Sequence, residues 1–313
     1  MTNEELEKTA AVRNVDGINF VTADLHRTVE NLGSMFHYHD WNLRRTAEGP
    51  GMIETAELRT RTGIVLRFVQ PVYGDTVYQE YLDRYGSGIM GPREKISAES
   101  WNGVVGRYAG RGIRILPVED GRVMLDFRNT MGAVFELHRD KPDAESQLPV
   151  TDRKICQICI VTDDVKRTAR ELWQKMELGP WEIGTCNNWT MAEMSTTGYA
   201  AGTMPESEFL AGIGMYGDLQ FEIIQPVKGP LSYFTYLNRH GCGFQHIKEE
   251  LTPDTYDGKV KEYSTLGVLL SGRIGPCWCC NLDTEDRIGF VYELSDGREM
   301  DRLPDGYDPH MFC

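Results

Sequence analysis

Residues 236–251 read YLNRHGCGFQHIKEEL, and residues 81–96 read YLDRYGSGIMGPREKI, with six of the sixteen positions identical. One segment has been written twice, yet where the second copy carries His246 the first carries Gly91. The repeat runs well beyond this pair. INFVTADLHRTVENL (18–32) matches ICIVTDDVKRTAREL (158–172). LRFVQPV (66–72) matches QFEIIQPV (220–227) around a shared Gln-Pro, and MLDFRNTMGAVFEL (124–137) matches NLDTEDRIGFVYEL (281–294). Blocks recurring in one order at similar spacing mark an internal duplication. The halves are expected at 14–141 and 153–297, joined by DKPDAESQLPVTD, whose Pro, Asp and Ser content reads as a linker. Residues 298–313 form a C-terminal tail with no clear periodicity.

Each half has one rhythm. ICQICIVT is a β-rich apolar run, Asp163 and Asp164 offer helix-capping chemistry, and Val165, Ala169, Leu172, Trp173 and Met176 follow at helical spacing. WEIGT, FLAGIGMY and LQFEIIQPV then read as strands. GFQHIKEEL opens a second unit, a helix is expected from about Pro253 to Leu266, and VLLSGRI, CWCCNLD and GFVYEL close it. The expected fold is α+β, with each half built of two βαβββ units forming a curved mixed sheet.

The bulk numbers narrow the function. A chain of 313 residues, 41% hydrophobic, suffices for two ordinary domains. Its 33 basic and 47 acidic residues give a net charge of −14, and no basic cluster interleaved with aromatics speaks for nucleic acid. No apolar run of membrane-spanning length and no secretory signal is visible, so a cytoplasmic location is expected. Eight cysteines would then stay reduced. CWCC lacks the second Cys pair of a zinc finger.

Gln157, Glu222, His246 and Glu293 stand in the first and last strands of the second half's two units. If those units pair about a pseudo-twofold axis, the four side chains converge in one trough. A Gln oxygen, a His nitrogen and two carboxylates suit one divalent ion, with Zn, Ni, Co, Mn and Fe all compatible. Carried onto the first half, the same positions are Gly17, Arg67, Gly91 and Glu136, so its metal site reads as degenerate. That half is expected to serve as an intramolecular pseudo-dimer partner, and a homo-oligomer is compatible with the sequence. HYH (37–39) reads as a surface loop. Trp181, Trp189, Met191 and Met194 read as core, with a pocket wall as the other reading.

These motifs resemble the vicinal oxygen chelate superfamily, which includes glyoxalase I, methylmalonyl-CoA epimerase, extradiol dioxygenases and bleomycin-resistance proteins. YLNRHGCGFQHI is similar to the epimerase-type segment in which a Gly-rich turn precedes the metal-binding His. NLDTEDRIGFVYEL resembles the closing strand with its ligand Glu, and LQFEIIQP the strand carrying another ligand. The Gln157/Glu222/His246/Glu293 set is similar to that of glyoxalase I. The resemblance implies a metal-dependent isomerase, epimerase or lyase that works through an enolate of a small carbonyl substrate, with Glu293 or Glu222 as base. FLAGIGMY offers no carboxylate where an epimerase-type base would stand. The alternatives are an extradiol-type dioxygenase, against which Gln157 speaks, and a non-catalytic small-molecule binder.

Overall fold

The computed structural model describes residues 13–119, 121–140 and 147–298. Two compact units divide the chain. One comprises Arg13–Lys154 with Glu285–Phe290, and the other has Ile155–Thr284 and the strand from Val291 as its described body.

In the first unit the strands are β1 (Val15–Val21), β2 (Asn42–Glu48), β3 (Gly51–Thr60), β4 (Val65–Tyr73), β5 (Gly88–Ile96), β6 (Arg114–Glu119), β7 (Arg122–Phe127), β8 (Ala133–Arg139) and β9 (Val150–Thr151). They pair in the order β2-β3-β4-β1-β5-β8-β7-β6, with β9 parallel to β3. The second unit has β10 (Ile155–Val161), β11 (Glu182–Asn187), β12 (Ala192–Thr196), β13 (Glu208–Tyr216), β14 (Leu219–Lys228), β15 (Gly243–Glu250), β16 (Val268–Ile274), β17 (Cys277–Leu282) and β18 (Val291–Ser295). Its order is β11-β13-β14-β10-β15-β18-β17-β16-β12. Each is a mixed, curved, open sheet of two βαβββ modules joined through one antiparallel pair, β1–β5 or β10–β15.

The repeated sequence has a repeated job. Helices Leu25–Phe36 and Val165–Met176 follow the first strand of each unit. Asp24 and Asp164 cap them, each accepting from the backbone N–H three residues on, at 3.0 and 2.9 Å, a bond worth about 1 kcal/mol. The shared Gln-Pro explains itself here. Gln70 Oε1 accepts from Leu25 N at 2.7 Å, and Gln225 Oε1 from Val165 N at 3.0 Å, so β4 and β14 anchor the helix starts of their units. The apolar face of Val165–Met176 buries Val165, Ala169, Leu172 and Met176. The opening repeat is likewise structural. Tyr81 and Tyr236 donate their hydroxyls to Ile89 O and Phe244 O, both at 2.8 Å, tying a helix to the strand that follows it.

The structure departs from the sequence reading in four places. Helices Val77–Tyr85 and Ser232–His240 precede β5 and β15, where no helix was expected. Strand β12 was also unexpected. It leaves its own module to pair with β16. Within the expected linker, Val150–Thr151 is a strand on β3, because its extended backbone finds an unpaired edge. Residues 141–146 of that linker, and the expected tail from residue 299 onward, lie outside the described residues.

Candidate metal centre

Four neighbouring strands, β14-β10-β15-β18, build the site. Their register sets Cys159 opposite both Glu222 and His246, and Lys248 opposite Glu293. Side chains two apart on a strand share a face, so Gln157 accompanies Cys159, and Lys248 accompanies His246. The four residues singled out in the sequence do converge. His246 Nε2 lies 3.1 Å from Glu222 Oε2 and 2.9 Å from Glu293 Oε2. Gln157 Nε2 donates to Glu222 Oε2 at 2.5 Å. Gln157 and His246 are fully buried, and Glu293 is 4% exposed.

The polar satisfaction of this cluster is incomplete in one telling way. Gln157 Oε1 is buried without a hydrogen-bond partner among the described residues. A buried acceptor left alone costs roughly 1–3 kcal/mol, and a cation would satisfy it. His246 presents Nε2 to the carboxylates while its Nδ1 lies 2.8 Å from Gln245 Oε1, a partner of the kind that orients metal-ligating histidines through their other nitrogen. Burial alone would lower the His246 pKa, but hydrogen bonds to Glu222 and Glu293 push it up to about 9. Burial works to raise Glu222, while the His246 hydrogen bond and the Lys248 charge hold it below the ordinary carboxylate value.

Two neighbours escaped the sequence reading. Cys159 Sγ lies within 4.8 Å of the donor atoms of Glu222 and His246, and these three are the grouping of metal-type side chains found among the described residues. Burial and the Glu222 carboxylate push its thiol well above its ordinary pKa. Lys248 Nζ stands 3.5 Å from Glu293 Oε1. The signal for both was present, since each sits two residues from a candidate ligand on the same strand. The apolar character of ICQICIV hid the cysteine.

A small cavity of about 40 Å³ adjoins the cluster, lined by Glu222, Lys248, Asn281 and Glu293 on its polar side and by Met191, Phe209 and Tyr233 among its apolar walls. Met191 therefore does wall a pocket, and β12 is what brings it there. Met194 packs in the same buried cluster. Trp181 lies in the core with its edge against Phe221, and Trp189 is 87% exposed. His37 and His39 are exposed, with ring centroids 6.3 Å apart.

The first unit's register reproduces the expected equivalences. Gly17, Arg67, Gly91 and Glu136 stand where Gln157, Glu222, His246 and Glu293 stand, and Asn19 and Arg93 replace Cys159 and Lys248. Arg67 Nε is 3.2 Å from Glu57 Oε1, and its Nη1 is 3.5 Å from Glu136 Oε2. Arg93 Nε reaches Glu136 Oε1 at 3.4 Å. A Cβ on Gly17 would meet Val65 O at 2.7 Å and the Arg93 side chain at 3.2 Å. The place of the missing Gln is thus filled by a guanidinium arm.

No family model matches the chain, and no curated protein matches it by sequence. Solved structures do. A mutant of 4-hydroxymandelate synthase from Streptomyces coelicolor is similar over 95% of both chains, at 13% identity and a TM-score of 0.59. The 2,2',3-trihydroxybiphenyl 1,2-dioxygenase of Sphingomonas wittichii strain RW1 is similar over 91% of this chain and 90% of its own, at 10% identity and a TM-score of 0.50. The likeness is one of fold. The chain has the α+β fold of the vicinal oxygen chelate proteins, built twice in tandem. Among the described residues no helix is long and apolar enough to cross a membrane.

Proposed function

We propose that the second unit is the single metal centre of an enzyme that binds a small substrate through neighbouring oxygen atoms. The observation that carries this reading is the orphaned Gln157 Oε1, buried beside Glu222, His246 and Glu293. Those four residues would hold one divalent ion, with Cys159 beside them. Oxygen donors with one imidazole suit Zn, Ni, Co, Mn or Fe. Such an ion, when bound, supplies a Lewis acid that polarises a substrate oxygen. The chain supplies the rest. Lys248 places an ammonium against the trough, Met191, Phe209 and Tyr233 exclude water, and Gln245 holds the His246 ring in one orientation. The cytoplasm is the setting we assign, where the seven free cysteines of the described residues stay reduced.

Two chemistries fit this frame. We place oxygen-dependent ring cleavage first, because support for it comes from a structure alike over nearly the whole chain that is a 1,2-dioxygenase. Isomerisation, epimerisation or lyase chemistry stands second, and the donor set favours it. One histidine serves here, whereas non-haem iron oxygenases use two with one carboxylate. In that second reading Glu293 takes a proton from the carbon beside a carbonyl and returns it, with Glu222 as the next choice of base.

One experiment separates them. Protein assayed for its metal is offered catechols under oxygen and, separately, carbonyl compounds in heavy water without oxygen. Oxygen uptake coupled to ring opening establishes the first chemistry. Deuterium appearing at carbon without oxygen uptake establishes the second. In that case Glu293→Gln, which keeps a ligating oxygen and loses the base, should retain metal and lower turnover by roughly two to four orders of magnitude. Protein purified without any bound divalent metal, and unable to take it up, would sink both and leave a binding protein.

A further inference from the structure

The trough of the first unit is not filled in. It encloses a cavity of about 240 Å³, many times the roughly 10–15 Å³ that one water requires. Among the described residues six basic side chains line it, Arg44, Arg67, Arg93, Lys95, Arg122 and Arg139, against three acidic ones, Glu57, Glu119 and Glu136. This stands out in a chain of net charge −14. Further carboxylates compensate the wall without lining the void. Glu48 pairs with Arg122, and Asp16 and Asp140 lie 3.7 and 3.8 Å from Lys95 Nζ. The side presented to the cavity is therefore rich in N–H donors.

Some of that donor capacity is unspent. Arg67 engages Glu57 through Nε, and Tyr78 and Glu136 through Nη1. No hydrogen bond among the described residues uses its Nη2. Arg122 Nε is buried and makes no hydrogen bond there, with Glu119 Oε1 3.8 Å away. Arg44 reaches the rim from β2, exposed and without a partner among the described residues. Guanidinium groups match carboxylate and phosphate oxygens in planar, two-point fashion.

We propose that the first unit, having exchanged metal ligands for guanidinium groups, binds a small oxyanion ligand, a carboxylate- or phosphate-bearing metabolite, between Arg44, Arg67 and Arg122. The retained Glu136 holds Arg67 and Arg93 in place, and the ligand's oxygens accept from the N–H donors that Arg44, Arg67 and Arg122 leave unspent. The site is independent of the metal centre.

Calorimetric titration of the full-length, metal-loaded protein tests this, with inorganic phosphate and succinate as separate probes to tell the two oxyanion sources apart and glycerol as the uncharged control. Saturable binding of at least one anion, weakening with added salt, is expected. Arg44→Glu, an exposed change that leaves the core alone, should weaken it roughly tenfold or more, the worth of a charge-assisted contact. Glu119→Gln should tighten it. Arg67→Lys keeps the charge facing Glu57 and Glu136 but removes the fork, and should weaken binding while circular dichroism stays unchanged. If Arg67→Lys does not fold, the opposed responses of Arg44→Glu and Glu119→Gln still decide. His246→Ala should leave the anion affinity intact. No saturable heat with either anion overturns the proposal. So does binding that survives Arg44→Glu and vanishes with His246→Ala, since that anion would be sitting at the metal centre.

Discussion

Gly91 and His246 hold the same register position, opposite Asn19 and Cys159 respectively, and their surroundings explain why they differ. His246 sets its imidazole between Glu222 and Glu293, so His246→Ala should abolish most metal binding. It also leaves Glu222 and Glu293 facing each other, and should cost the metal-free protein about 1–3 kcal/mol. Elemental analysis and urea unfolding read the two effects separately. A variant with full metal content would move the site elsewhere. The first unit stakes its stability on the opposite sign of charge. Burial works to raise Glu136, but Arg93, Arg122 and Arg67 outweigh it and hold the carboxyl well below its ordinary value of 4.5. A depressed carboxylate contributes stability above its unfolded pKa and loses it only as pH falls through its folded pKa. Glu136→Gln should therefore destabilise by roughly 3–5 kcal/mol at neutral pH, since it removes the buried carboxylate that Arg67 and Arg93 share. The gap to wild type should close only well below pH 4.5. Urea unfolding stepped downward in pH checks this, and a gap that closes above that value contradicts it.

At the scale of elements, the legible parts were those with a clean period. The strands of ICQICIVT, LQFEIIQPV and GFVYEL and the helix beginning at Val165 alternate or repeat as their geometry demands, and the placement of Gln157, Glu222, His246 and Glu293 followed from them. Strand β12 was not legible. AEMST has no partner signal of its own, and what holds it is pairing with β16, a tertiary choice. Cys159 and Lys248 were missed for a related reason: strand text shows which residues alternate, and only the register shows which face meets the trough. β12 has a consequence for the pocket. Met191, 1% exposed, lies so close over β16 that a Cβ on Gly272 would come within 2.5 Å of its Cε. Met191→Ala should enlarge the cavity at a cost of about 2–5 kcal/mol. It should raise KM for the native small substrate and admit bulkier ones. A KM unchanged across a size series would remove Met191 from the substrate wall.

Across the whole molecule, duplication supplies two copies of one framework and lets the sites diverge, because the ties that build the framework are not the residues that fill the trough. The Asp caps, the Gln-Pro anchors and the Tyr ties recur in both units, while only the second unit keeps the donors. Metal stoichiometry follows. Arg67 sets a guanidinium where Glu222 stands in the other unit, and Gly17 and Gly91 offer no side-chain donor, so the first trough is expected to take up no cation. Purified protein should carry about one tightly bound divalent ion per chain, and a chelator should remove it in a single step. Because such an ion would bind the folded second unit, its removal should lower the melting temperature through the loss of a mass-action stabilisation of about 4 kcal/mol at a thousandfold excess over Kd. The first unit should feel nothing, so amide exchange in β1, β5 and β8 should be the same with and without metal, while protection in β10, β15 and β18 falls on chelation. Two ions per chain by elemental analysis, or loss of protection in the first unit's strands on chelation, would defeat this account of one live and one converted site.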